Sequence, residues 1–95
     1  MKQNTKDARL VVALEKFAKD LSDTKVYSAP EWDKRGEKYG KGSAAVITTE
    51  DELYEALNYG ENPALVKKLQ KLLEKRGYYM EPAYGWMWCI EPIPQ

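Results

Sequence analysis

The chain has 95 residues, 43% hydrophobic and 12% aromatic, enough for one domain that buries roughly 65% of its extended surface without metals or disulfides. A single cysteine, Cys89, excludes an internal disulfide and suits a reducing compartment, and the lack of histidine removes the commonest general base and most zinc and haem ligand sets. Fifteen basic residues cancel fifteen acidic ones, so the overall basic excess typical of nucleic-acid binders is missing, and no apolar run approaches the ~20 residues of a membrane span.

Met1 to Asp7 has no apolar run of the signal-peptide kind, and a soluble, cytoplasmic protein is expected. Residues 5–22 predict an amphipathic helix. Leu10, Ala13, Leu14, Phe17, Ala18 and Leu21 recur at spacings of three and four. Asn4 or Thr5 can cap it, with Asp7 favourable in the first turn. Val12, among Arg9, Lys16 and Lys19, breaks the pattern. Lys25 to Ala29 reads as a short strand stopped by Pro30. Residues 31–43, with three glycines and seven charges, show no apolar period and predict a flexible charged loop.

Ala44 to Thr48 is a second short strand, favoured by β-branched Val46 and Ile47. Thr49-Glu50-Asp51-Glu52 has the spacing of a capping box, with Thr49 as the cap of a helix that stops near Gly60. Asn62 and Pro63 open the next helix, whose stripe of Leu65, Val66, Leu69, Leu72 and Leu73 ends at Gly77. Two strands, Tyr78–Glu81 and Trp86–Glu91, close the domain. A three-residue loop, Ala83-Tyr84-Gly85, with Gly85 left-handed, is the preferred connection. It places Tyr78, Met80, Trp86, Trp88 and Ile90 on one face and Tyr79, Glu81, Met87 and Cys89 on the other. Residues 92–95 read as an extended tail. The order α-β-β-α-α-β-β predicts a single α+β domain, an antiparallel sheet of three or four strands with helices on one face.

Catalytic and metal chemistry find no support in these residues. Cys89 lies in an apolar strand without a nearby cation, as a packed, inert thiol does. Glu50, Asp51 and Glu52 are consecutive on a helix, so they diverge by about 100° each and do not converge on an ion. Gly36 to Ser43 fails the phosphate-loop pattern: three residues separate Gly36 from Gly40, and Gly42 separates Lys41 from Ser43. No enzyme activity, cofactor or metal is expected, and no segment resembles a known family at motif level.

Two binding readings remain. Residues 50–59, 63–76 and 78–90 follow the order of a winged helix, with Lys67, Lys68 and Lys71 on the exposed side of the second helix. Against it, the first of these helices opens with three acids, and the wing has no Lys or Arg. The alternative starts from Trp86-Met87-Trp88-Cys89-Ile90, which does not alternate and must be covered on both faces. The 31–43 loop, a second subunit or a partner can supply the second cover. The preferred expectation is therefore a small cytosolic accessory or regulatory module that binds a protein partner or itself, with Trp32, Tyr39, Tyr79 and Met87 as candidate contacts. Nucleic-acid binding through the basic helix or the 31–43 loop is the runner-up.

Overall fold

A computed structural model of the chain describes residues 5–94. Its elements are α1 (Thr5–Ala18), β1 (Thr24–Ser28), α2 (Ala29–Arg35), β2 (Ala45–Thr49), α3 (Glu52–Tyr59), α4 (Pro63–Lys75), β3 (Tyr78–Tyr84) and β4 (Met87–Pro92). The strands form one antiparallel sheet in the order β1-β2-β4-β3. The α+β class and the antiparallel sheet expected from the sequence are those observed. Asn4, one of the two expected caps of α1, lies outside the described residues.

The first sheet face carries the main core. Leu10 and Leu14 of α1, Leu53 of α3, and Leu69 and Leu73 of α4 pack with Ala45, Ile47, Tyr78 and Ile90 from the strands. The helical period decides which residues enter: each buried pair on α1 and α4 is four residues apart, one turn on the same side. The Tyr78 hydroxyl donates to Asp7 Oδ1 at 2.5 Å, tying the start of α1 to β3. Burial, then that carboxylate, push the Tyr78 phenol far above its ordinary value.

The second face corrects the expectation of helices on one side only. Residues 29–35 form α2, not the beginning of a loop. Ser28 Oγ accepts from Glu31 N while Glu31 Oε1 accepts from Ser28 N, a reciprocal capping box with Pro30 in the first turn, and Gly36 ends the helix at φ 71°. α2 seats Trp32 on Val46, Met87 and Cys89. Both faces of the two central strands, β2 and β4, are therefore covered within the chain, which accounts for their continuous apolar sequence.

Two further expectations need correction. The cap of α3 is Asp51, whose carboxylate accepts from Leu53 N at 2.9 Å, while Thr49 is the buried last residue of β2. The same carboxylate accepts from Asp23 N and the Thr24 hydroxyl, with Thr49 Oγ1 at 3.0 Å. The β3–β4 hairpin also turns later than expected. Pro82 pairs with Trp88 rather than Trp86, a register irregularity falls at Ala83, and Gly85 and Trp86 form the turn. The slip is two residues, an even number, so Met87 and Cys89 stay on the second face. Gly85 is not left-handed. A Cβ there would sit 3.2 Å from Asn58 Oδ1, a tight approach that the Asn58 side chain would have to relieve.

Candidate functional site

The structure separates the four candidate contacts of the protein-binding reading. Trp32 and Met87 do come together, but inside: each is 2% exposed, and together they fill the space under α2. They are core residues in this chain, because the cover that the apolar strands demand is intramolecular. Tyr39 and Tyr79 are on the surface. Tyr79 stands on edge strand β3, opposite Glu91.

Tyr39 has company that the sequence did not reveal. Its ring meets Tyr84 edge-on at 5.6 Å, and Tyr84 stacks on Trp86 at 5.3 Å with the planes 3° apart. These three rings are 53%, 42% and 44% exposed, respectively, and form one aromatic shelf. Burial, then Tyr39 and Glu37, hold the Tyr84 phenol above its ordinary value.

The shelf is held from below. Trp32 Nε1 donates to the Tyr39 carbonyl at 2.7 Å, fixing the loop after α2. Gly40, next in the chain, has φ 86°, and a Cβ there would fall 2.7 Å from Trp32 Nε1 and 2.9 Å from Met87 Cε. Only glycine lets the backbone lie this close. On the other side, the Gly85 carbonyl accepts from Asn58 Nδ2 at 2.9 Å and Trp88 Nε1 at 3.1 Å, pinning the turn that carries Trp86. Next to the shelf, Arg35 lies over the rings of Tyr27 and Trp32 at 5.0 and 5.1 Å.

The lysines of the nucleic-acid reading lie on α4. Lys67 and Lys71 are exposed and one turn apart. Lys68 is turned towards α1, where it lines an open groove with Arg9, Lys16 and Arg76. The supposed wing is not free: β4 lies between β2 and β3 within the sheet.

Cys89 is buried on the second face, and burial pushes its thiol up, away from the reactive thiolate. Among the described residues no three carboxylates or thiols gather as a metal site would require, and no helix is long and apolar enough to cross a membrane. Comparison with protein-family models, with curated proteins and with solved structures finds no match.

Proposed function

We propose that this chain is a protein-binding module, a cytoplasmic accessory or regulatory domain without chemistry of its own, and that Tyr39, Tyr84 and Trp86 are its contact surface. The observation that carries the reading is the aromatic shelf, three exposed rings in mutual contact on a pinned loop and a pinned turn. Tyr and Trp offer large contact area at little loss of side-chain entropy, and binding hot spots are rich in both. Their underside is already ordered by Trp32 and Asn58, so a partner would meet a surface that needs little rearrangement.

The test is capture of partners from nuclease-treated host lysate by the wild-type chain and by a Tyr84→Ala/Trp86→Ala variant. Both residues are substantially exposed, so the variant should fold and melt close to wild type. Loss of the captured proteins in this variant supports the shelf. Equal capture by both chains refutes it.

Nucleic-acid binding is the second reading, favoured by the cations that α1 and α4 bring together. Salt-dependent binding of mixed-sequence duplex DNA, lost on reversing Lys67, Lys68 and Lys71 to Glu, would place it first.

A further inference from the structure

The start of α1 and the end of α4 meet around a depression of about 490 Å³. It is lined by Thr5, Lys6 and Arg9 from α1 and by Lys75 and Arg76 from α4. Four of these five residues are cations and none is acidic. In a chain whose fifteen basic and fifteen acidic residues cancel, so one-sided a lining is a local departure from balance. The nearest acids in sequence are taken up elsewhere. Asp7 accepts from the Tyr78 hydroxyl, and Glu74 lines a separate depression with Gln70 and Tyr79.

None of the four cations is held in an ion pair by a described residue. Lys6 is the most firmly placed of them. Its ammonium lies 5.0 Å from the centre of the buried Tyr78 ring, a cation–π contact that limits where the charge can range. The groove between the two helices carries the positive charge further, since Lys16 and Lys68 line it together with Arg9 and Arg76.

We propose that this depression binds a small ligand through a chain of adjacent phosphates, a diphosphate or triphosphate group. Four crowded cations without a counter-ion repel one another, and a compact polyanion relieves that repulsion where a single charge does so only in part. Arg9 and Arg76 offer planar forks that match phosphate oxygens in pairs, Lys6 and Lys75 act as point charges, and the Thr5 hydroxyl can donate. No apolar or aromatic side chain lines the depression, so recognition is of the phosphate chain, and whatever it carries extends into the groove or into water. A nucleic-acid backbone has the same chemistry but strings its phosphates out along a strand, whereas these four cations gather at one end of the helix pair. The site shares no residue with the aromatic shelf and stands or falls separately.

The experiment is calorimetric titration of the whole chain with inorganic tripolyphosphate, pyrophosphate and orthophosphate. It is run at about 0.15 M sodium chloride, in a buffer free of phosphate and sulfate. Saturable binding of tripolyphosphate is expected, at least about tenfold tighter than that of orthophosphate. Arg9→Glu/Arg76→Glu should weaken it at least about tenfold. Lys67→Glu/Lys71→Glu is the control: it changes the net charge equally but touches neither the depression nor the groove, so it should bind within about threefold of the wild type. All four positions are exposed, and melting without ligand checks that both variants fold. Should the reversed variant not fold, Arg9→Gln/Arg76→Gln takes its place and must also lose binding. A Kd weaker than about 1 mM, equal losses in variant and control, or citrate binding as tightly as tripolyphosphate would overturn the proposal. So would uptake of single-stranded oligothymidylate by a chain that ignores tripolyphosphate.

Discussion

Trp32→Ala tests whether the second sheet face is covered by the chain itself. The indole is 2% exposed, packs on Val46, Met87 and Cys89, meets Tyr27 edge-on at 5.3 Å, and donates to the Tyr39 carbonyl. Truncating a buried tryptophan costs ~3–5 kcal/mol, a large share of the ~5–15 kcal/mol of a small domain. At the low end, ~4 °C per kcal/mol, the melting temperature should fall by at least ~12 °C. Trp32→Phe keeps most of the packing and removes the indole donor, so it should cost only ~1–2 kcal/mol. The second readout is Cys89, buried under the same helix: a chromogenic thiol reagent should react slowly with the wild type and much faster with Trp32→Ala. Near-wild-type melting together with an unchanged thiol rate would mean that α2 does not cover the sheet, and the two-faced core would be refuted.

Asp51→Asn should lose ~1–3 kcal/mol at pH 7 in urea titrations, since it weakens a cap and the other hydrogen bonds to one carboxylate. Burial pushes the Asp51 carboxyl up, but the hydrogen bonds from Asp23, Leu53, Thr24 and Thr49 outweigh it and leave its value below the usual 3.8. Its stabilisation is therefore complete well above 3.8 and is lost as pH falls through the lower folded value, so the gap between wild type and Asp51→Asn should narrow in acid. Gly40→Ala should destabilise more than Gly42→Ala in thermal melts: both have positive φ, but a Cβ at Gly42 meets open space and one at Gly40 meets Trp32. Leu69→Ala should cost ~2–5 kcal/mol, and Leu72→Ala clearly less, because Leu72 is only half-buried at the groove; equal melting losses would contradict that placement.

The long helices and the double burial of the last strand were legible because periodicity and apolar continuity are properties of many residues at once. α2 was not. A helix of two turns has one anchor here, Trp32, so no stripe exists to be seen among seven charges and three glycines. The Ser28-x-x-Glu31 spacing with Pro30 between was the available signal. The hairpin turn was misplaced because Asn58, distant in sequence, holds the Gly85 carbonyl. The shelf was hidden for the same reason: Tyr39 and Tyr84 meet only once α2 has folded the loop back. Val12 was legible as an anomaly, and it does stand exposed on α1.

The sheet has a seam. β1 and β2 come from residues before position 50, β3 and β4 from residues after it, and within the sheet the two hairpin-like halves pair along β2–β4, where Ala45 to Thr48 pair with Ile90 to Met87. Each half brings its own helices, so opening the short 49–51 link would let two copies trade halves and rebuild the same sheet twice. Asp51 slows that exchange, because its carboxylate fastens the first helix of the later half to Asp23 and Thr24 of the earlier one and must release them before the halves can part. Folded chain held at high concentration should convert to interlocked dimers faster as Asp51→Asn than with Asp51 in place, a difference that size-exclusion chromatography reads directly over time.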